Sequence, residues 1–448
     1  MVLMAFQKSV SFWQAVTYGV GVIVGTGIYT LIGIGAGISG NLLWLSFIIA
    51  GIIASLTALS YAKLSSLFAK ESAESFYAQK AFKSKKISFL VGFLSLIVWV
   101  FSGATVAWGL AAYAKALTPI DPLFITIGAI IFLSIINLLG IQKSIFVNNI
   151  LTFITLLGLI AIILFGLPYL GQTNLLEGID GTNLIENSFS LSNTLFSTAS
   201  LIFFAFLGFE GLINISEETK NPKKNIPKAI LLSLFLVTIL YVLISMVAVS
   251  VALPEELYNA ALSSSTHSGP LALVAEKVIS QSAGILLTLI AFCAISSTLI
   301  VILNVASRIL YGLSKQDLAP KIFEKLNSKT NTPWIAIFSI TILTCLIALI
   351  GNIELLGSLC TMGIFLLFGI INISVIIIEK EFNPFETKSL INKNNIAPIL
   401  GTIFCFFMLF TQYWKTISIF GIDLPLIAIL VITLIIGRIL YFFFVDRK

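Results

Sequence analysis

The chain has 448 residues, of which 58% are hydrophobic and only 10% are charged, and its mean hydropathy is +1.06. Soluble domains carry about 25% charged residues, so this chain has too few charges to cover a water-facing surface. The composition excludes a cytosolic enzyme, a nucleic-acid binder and a disordered scaffold. Apolar runs of about 20 residues predict an all-α polytopic membrane protein rather than the alternating strands of an outer-membrane barrel.

Twelve apolar segments are long enough to be predicted as transmembrane helices. The longest polar stretches, near 170–193 and 254–280, fall on one side of the membrane, and the second is expected to contain a short surface helix. No separate soluble domain is expected, so 1–448 is predicted to be a single membrane domain. The predicted spans are 12–36, 42–64, 87–113, 122–141, 145–169, 194–216, 228–253, 281–306, 334–351, 355–379, 396–413 and 420–444.

The charges predict the orientation of these spans. An even number of spans places both termini on one side, and all but three of the 26 basic residues then share that side, the exceptions being Lys115, Lys277 and Lys415. Lys and Arg mark the cytoplasmic face, so both termini are predicted to be cytoplasmic and the protein to lie in the plasma membrane. The net charge of +6 is therefore interpreted as an orientation signal and not as attraction to nucleic acid.

Histidine and cysteine give no sign of metal or enzyme chemistry. The four cysteines lie inside apolar runs and are interpreted as small buried side chains. The single histidine, His267, lies in a polar stretch, so neither a metal site nor a cofactor is expected. A serine protease of the membrane would need a histidine in a span, an aspartyl protease a second carboxylate, and a zinc enzyme an HExxH motif. The chain is therefore not expected to be an enzyme.

The first span contains closely spaced glycines near its middle. It reads Gly-Val-Gly-Val-Ile-Val-Gly-Thr-Gly-Ile at 19–28. If the helix opens at Gly25-Thr26-Gly27, its second half presents free N–H groups and a positive dipole end, which suit a carboxylate. Alternatively, the glycines only allow close packing between helices.

The sixth span carries a second candidate break, in Phe-Phe-Ala-Phe-Leu-Gly-Phe-Glu at 203–210. Broken membrane helices occur where they line a cavity. Carbonyls freed near Phe206 and Gly208 would suit an ammonium group, so the two breaks together would bind a zwitterionic α-amino acid. Glu210 is the one carboxylate placed in the interior of the bilayer, which makes it a functional candidate. Alternatively, it ties the broken helix to its neighbours.

Together with the cytoplasmic run Glu-Glu-Thr-Lys-Asn-Pro at 217–222, these two motifs resemble the amino acid–polyamine–organocation (APC) superfamily of transporters, which has the LeuT-type fold. The resemblance extends from about Phe12 to the twelfth span. It implies two inverted five-helix repeats, 12–169 and 194–379, with broken first and sixth spans, followed by two further helices in 396–444. The acidic pair Glu217 and Glu218 is expected to pair with Lys220, Lys223 or Lys224, and Pro222 and Pro227 to separate two helices.

The resemblance also implies roles for individual residues. Phe204 matches an aromatic position that caps the substrate from outside, besides its role in amine binding given below. Ser296 and Ser297 fall where sodium-coupled relatives place hydroxyl ligands, although such serines also bond their own helix. Thr155 is assigned to a position where several relatives have a lysine, so proton coupling through Glu210, sodium coupling and uncoupled exchange stay open. The residues matched to carboxylate binding are Ile23, Gly25, Thr26 and Gly27, and those matched to amine binding are Phe204, Ala205 and Leu207.

The expected function is therefore transport of amino acids by alternating access, as an ion-coupled symporter or an exchanger. Neutral amino acids are favoured because a cationic side chain would need an additional carboxylate. The sole candidate is Glu210, which the resemblance implies is commonly present whatever the substrate. The alternatives are a transporter of cationic amino acids or polyamines, and an amino acid sensor that does not transport. The expected partners are a small amino acid, H⁺ or Na⁺, and the lipid bilayer, with no nucleic acid.

Overall fold

The computed structural model describes residues 9–68, 70, 72–115, 118–177, 188–262, 269–351, 353–382, 395–413, 416–419 and 422–446. These residues are almost entirely helical. A short hairpin of antiparallel strands, β1 (Thr416–Ile419) and β2 (Ile422–Pro425), connects two helices near the C-terminus. The helices of the first half are α1 (Phe12–Ile23), α2 (Thr26–Ser39), α3 (Leu43–Leu67), α4 (Ala73–Phe82), α5 (Lys85–Lys115), α6 (Pro122–Leu138) and α7 (Ile141–Gly166).

The second half repeats the pattern of long helices with short connections. The polar stretch near 254–280 contains two helices instead of the one expected. His267, in the same stretch, lies outside the described residues. Pro227 lies inside a helix that begins at Pro222, so the two prolines do not separate two helices. The helices are α8 (Ser188–Ile202), α9 (Pro222–Val251), α10 (Pro254–Leu262), α11 (Gly269–Val278), α12 (Gln281–Lys315), α13 (Trp334–Ala348), α14 (Ile353–Phe382), α15 (Ile396–Tyr413) and α16 (Leu426–Tyr441).

The described helices make this a multi-pass membrane protein. Eight helical stretches are long and apolar enough to cross a bilayer by length and composition. Each of the twelve predicted segments contains a described helix, although the first is divided between α1 and α2. Three further apolar helices are shorter: Pro122–Leu138, Trp334–Ala348 and Ile396–Phe410.

Large apolar side chains remain exposed on the outer helices, as expected of surfaces that face lipid. Phe132 on α6 is 64% exposed and Phe153 on α7 is 63% exposed. A water-soluble protein rarely exposes such side chains over a continuous surface. The helices α6 and α7 therefore lie at the periphery of the bundle.

The centre of the bundle is formed around α1. This helix packs against α7, α9 and α12, while α3 packs against α9 and α5 packs against α12 and α14. The start of α1 is fixed by a reciprocal cap, in which the Gln14 N–H donates to the Ser11 hydroxyl and the Ser11 N–H donates to the Gln14 side chain. From Tyr18 to Ile23 every residue of α1 is buried. This places the glycine-rich end of α1 in the middle of the protein.

Candidate functional site

The first span is broken at its glycines. The helix α1 ends at Ile23, α2 begins at Thr26, and Gly25 between them forms no side-chain cap for α2. The first N–H groups of an α-helix have no acceptor within the helix. The start of α2 therefore presents backbone donors and a positive dipole end deep inside the protein.

The sixth span is broken as well. The helix α8 ends at Ile202 and is followed by a 3₁₀ turn, Phe203–Phe206, after which Leu207 is extended. Gly208 then has φ +121°, a conformation that residues with a side chain rarely adopt. A 3₁₀ helix, Phe209–Glu218, continues the chain. The interruption exposes backbone polar groups where an unbroken helix would satisfy them.

The two breaks touch each other. A Cβ atom added to Gly27 would lie 2.4 Å from the Cα atom of Ala205, so only glycine allows this approach. The hydroxyl of Tyr241, on α9, lies 2.8 Å from the Ile23 carbonyl oxygen and 3.1 Å from the Ala205 carbonyl oxygen. Tyr241 thus joins the end of α1 to the break in the sixth span. Its role was missed in the sequence because the residue is distant from both motifs.

A cavity lies between the breaks, and six of the predicted site residues line it: Ile23, Gly25, Gly27, Phe204, Leu207 and Glu210. Ala205 is buried behind it, and Thr26 begins α2 beside it. Ser102, Thr298 and Gly208 add polar or backbone groups. The rest of the lining is mostly apolar and consists of Val22, Val98, Trp99, Val106, Ile302 and Cys360.

Glu210 is the only acidic residue in the lining of this cavity. Its side chain is buried, with 2% of the residue exposed, and its Oε2 atom accepts a hydrogen bond of 2.9 Å from the Gly208 N–H. The carboxylate lies in the first turn of the 3₁₀ helix, close to the position predicted for it. It therefore ties the break together and also faces the cavity.

A second polar cluster lies beside α1, around the Gly21 carbonyl oxygen. The Thr298 hydroxyl donates to this oxygen at 3.1 Å. The Ser297 hydroxyl donates to the Asn148 side-chain oxygen at 2.9 Å and lies 3.2 Å from the Thr152 hydroxyl. Five oxygen-bearing groups from α1, α7 and α12 thus converge, and oxygen ligands suit a hard cation.

The sequence analysis predicted only some of the residues in this cluster. Ser297 belongs to it, whereas the Thr155 hydroxyl donates to the Leu151 carbonyl of its own helix at 2.8 Å. Ser296 is buried on α12, one residue and about 100° around the helix from Ser297. The residues that the sequence analysis missed here are Asn148, Thr152 and Thr298.

A buried ion pair lies on the side of the protein that carries the N-terminal segment. The Arg308 guanidinium donates to both carboxylate oxygens of Glu218, at 2.7 and 3.0 Å, and both side chains are 2% exposed. The Glu218 carbonyl also accepts from the N–H groups of Ser9 and Val10. Glu217 pairs with Lys315 at 3.6 Å. The acidic pair therefore binds partners on α12, and the expected pairing with Lys220, Lys223 or Lys224 is wrong.

Comparison with known proteins gives matches over nearly the whole chain. Residues 10–437 match the sequence model of a family described as amino acid permease. The branched-chain amino acid permease BcaP of Bacillus subtilis is 26% identical over 99% of this chain and 94% of its own length. An uncharacterized protein of Methanocaldococcus jannaschii is 30% identical over 79% of this chain and 78% of its own length. Cationic amino acid transporter 2, vacuolar, of Arabidopsis thaliana is 29% identical over 81% of this chain and 58% of its own length.

Proposed function

The chain belongs to the amino acid permease family, and on this premise we propose that it transports neutral amino acids by alternating access, driven by an ion gradient. The observation that carries the proposal is the contact between the two broken spans at Gly27 and Ala205, beside one buried cavity. The break in the first span supplies N–H donors, and the break in the sixth span supplies carbonyl acceptors. An α-amino acid carries a carboxylate and an ammonium group, which match these two sets of backbone groups.

The substrate carboxylate is assigned to the start of α2. The N–H groups near Gly25, Thr26 and Gly27 are donors without an acceptor in the helix, and the helix dipole favours a negative charge there. The ammonium group is assigned to the carbonyls of the Phe204–Leu207 segment. The Ala205 carbonyl already accepts from Tyr241, so it has one lone pair left for a ligand.

A neutral side chain fits the walls of the cavity. They are built mostly from aliphatic and aromatic residues, and the one carboxylate among them, Glu210, already accepts the Gly208 N–H. A cationic side chain would require a desolvated carboxylate free to pair with it. Apolar substrates such as leucine or valine are therefore the first to test.

The transport cycle is proposed to use the inverted-repeat arrangement. In this proposal the breaks in α1–α2 and after α8 are equivalent points of two inverted repeats, 12–169 and 194–379, followed by two helices in 396–444. The proposal has twelve spans, with both termini in the cytoplasm of a cell whose plasma membrane holds the protein. The Glu218–Arg308 pair is then a cytoplasmic tie that must separate when the cavity opens inward.

Proton coupling through Glu210 is the preferred mechanism, because this carboxylate is buried and lines the substrate cavity. Sodium coupling is a second candidate, favoured by the oxygen cluster around the Gly21 carbonyl. The two differ in the ion that must move with the substrate.

The test is uptake of radiolabelled leucine into proteoliposomes under one imposed gradient at a time. The three conditions are a proton gradient, a sodium gradient, and unlabelled leucine inside. Accumulation with the proton gradient alone is the expected result, and Glu210→Gln should abolish it. Accumulation that needs sodium and is lost in Thr298→Val would instead assign coupling to the hydroxyl cluster.

Competition defines the substrate class. We expect leucine, valine and alanine to inhibit uptake and arginine and polyamines to have no effect. The reverse order would make the protein a transporter of cationic substrates. Binding of leucine without uptake under all three conditions would make it a sensor.

A further inference from the structure

Another buried carboxylate, Glu74, lies outside the proposed substrate cavity, on the short helix α4. Glu74 is 1% exposed, and in the described part of the chain neither of its carboxylate oxygens has a hydrogen-bond partner. By contrast, Lys70 and Lys80, on either side of it along the chain, are exposed. The helix thus separates Glu74 from the surface that the distribution of charges assigns to the cytoplasm.

The hydroxyl of Tyr61, on α3, is within electrostatic range of both carboxylates. It interacts electrostatically with both Glu74 and Glu210, and it too is buried without a hydrogen-bond partner among the described residues. The ring is held in place by edge-on contacts with Phe209, at 6.0 Å between centroids, and Phe368, at 5.6 Å. A fixed ring with a free hydroxyl is suited to pass a proton.

Hydrogen bonds of Ser72, the residue before α4, join it to the inner part of the sixth span and to the residue after α12. The Ser72 N–H donates to the Asn214 side-chain oxygen at 3.0 Å, and the Ser72 carbonyl accepts from the Gln316 side chain at 3.3 Å. Asn214 follows Glu210 by four residues in the same 3₁₀ helix. Its side-chain nitrogen is buried without a partner in the described structure. Glu74 is therefore joined to the element that carries Glu210.

No cation neutralises Glu74 within the described residues. The titratable groups that act on it are Tyr61 from α3, Tyr77 from α4 itself and Glu210 from the 3₁₀ helix. The start of α5 contributes only the exposed Lys85 and Lys86. On this side, α12 and α14 contribute the pairs Arg308–Glu218, Lys315–Glu217, Glu379–Lys63 and Glu381–Lys83. The remaining charged residue, Lys380 of α14, is exposed.

We propose that Glu74 is a second proton-binding site of the transporter, which receives the coupling proton from Glu210 by way of the Tyr61 hydroxyl and releases it to the cytoplasm. This inference rests on the proton coupling proposed above. It assigns α4 a part in transport, because the helix contributes the last acceptor before the aqueous phase.

The proton step is balanced and creates no net charge. When side-chain motion brings the three groups into hydrogen-bond contact, the protonated Glu210 donates to the Tyr61 hydroxyl oxygen while the Tyr61 hydroxyl proton passes to the Glu74 carboxylate. Tyr61 stays neutral, Glu210 becomes a carboxylate and Glu74 becomes a neutral acid. Rotation of the Tyr61 hydroxyl then restores the starting arrangement, and Glu74 loses its proton to cytoplasmic water.

The chemistry of Glu74 suits such an acceptor. Burial raises the pKa of Glu74 to about 7. Near neutral pH both the acid and the carboxylate are then populated, so that a proton can be both taken up and released. Acidification of the cytoplasmic side should keep Glu74 protonated and slow the cycle.

The experiment measures leucine uptake and proton entry in proteoliposomes whose internal pH is set from about 6 to about 8, spanning the range around neutrality. In the wild type, both rates should rise with internal pH, with a midpoint near 7. Glu74→Gln should slow proton-coupled uptake by about tenfold or more and abolish its dependence on internal pH. Exchange of external for internal leucine needs no net proton release, so it should be unchanged.

Two further variants separate this role from a structural one. Tyr61→Phe keeps the ring and should slow uptake while sparing exchange, as Glu74→Gln does. Glu381→Gln removes a carboxylate on the same side that is exposed and paired with Lys83, and it should behave as the wild type. If Glu74→Gln and Tyr61→Phe both keep the wild-type dependence on internal pH, Glu74 is not a proton acceptor. If the wild type itself moves no protons, the proton coupling and the role of Glu74 both fail.

Discussion

Gly27 is the residue at which the two halves of the proposed site meet. A side chain there would have to displace the Ala205 backbone, because the added Cβ would lie 2.4 Å from the Ala205 Cα and 2.6 Å from its Cβ. We expect Gly27→Val to abolish leucine binding, measured by scintillation proximity, while the protein is still produced and inserted. Gly128→Val is the matched control, since a Cβ at Gly128 meets nothing within 4 Å. Wild-type affinity in Gly27→Val would place the substrate elsewhere.

Tyr241 shares one hydroxyl between two carbonyl oxygens of the broken spans. Its replacement by phenylalanine keeps the packing but leaves the Ile23 and Ala205 carbonyls without this donor, which costs about 1–3 kcal/mol for each buried group left unsatisfied. We expect Tyr241→Phe to lower the melting temperature and weaken leucine binding, whereas Tyr169→Phe, at a partly exposed position in the 3₁₀ turn after α7, should change neither. An unchanged melting curve would show that the breaks are held without this hydroxyl.

Glu74 predicts a pH dependence of stability as well as of transport. Its pKa is raised to about 7 in the folded protein from an ordinary value of 4.5, so folding favours the neutral acid. The stabilisation is fully present below about pH 4.5 and is lost as the pH rises through 7. In detergent, Glu74→Gln should therefore melt at a higher temperature than the wild type at pH 8 and close to it at pH 5. A difference that does not depend on pH would mean that the carboxylate does not titrate.

The sequence identified the backbone part of the site better than its hydroxyls. Glycine and the dipole argument pointed to Gly25, Gly27 and Gly208, because a conformation or a close approach that needs glycine is a local property. Which of Ser296, Ser297 and Thr298 faces Gly21 depends on the rotation of α12 about its axis. That rotation is set by packing against α1, α5 and α7, which no local pattern reveals.

The 3₁₀ helix that ends the sixth span is anchored by the buried pair between Glu218 and Arg308. Removal of one partner of a buried ion pair leaves an uncompensated charge and costs about 3–5 kcal/mol. We expect Arg308→Met to lower thermal stability strongly, and the double variant Arg308→Met/Glu218→Leu to recover much of the loss. Lys321→Met breaks the exposed pair with Asp317 and should cost about 0–1 kcal/mol. Equal losses in Arg308→Met and Lys321→Met would contradict the proposed tie.

Hydropathy predicted the membrane helices, but it did not reveal the role of the short helix α4 or the partners of the buried charges. Each predicted span contains a helix, since an apolar run of about 20 residues has few other structures available in lipid. By contrast, α4 is short and only mildly apolar, and its importance comes from Glu74, which is buried in a helix that packs against α5 and α14. The partners of Glu217 and Glu218 were mispredicted for the same reason, because Lys315 and Arg308 lie about 90 residues away along the chain.

At the scale of the whole molecule, the alternating-access proposal requires a defined orientation, and the charges supply it. Basic residues concentrate on the side of the termini, so the loop after α12 should be cytoplasmic and the start of α12 should face outward. Lys329 and Gln281 are exposed at these two places and can each be replaced by cysteine. The four native cysteines, which lie in α12, α13, α14 and α15, are first changed to serine or alanine.

In intact cells, a membrane-impermeant maleimide should label Gln281→Cys, whereas Lys329→Cys should react only after the membrane is permeabilised. Retained leucine uptake in both variants is the control for correct insertion. Labelling of Lys329→Cys in intact cells would reverse the orientation. The side that carries Glu74 and the Glu218–Arg308 pair would then face outward, and Glu74 would be the entry point of the coupling proton rather than its exit.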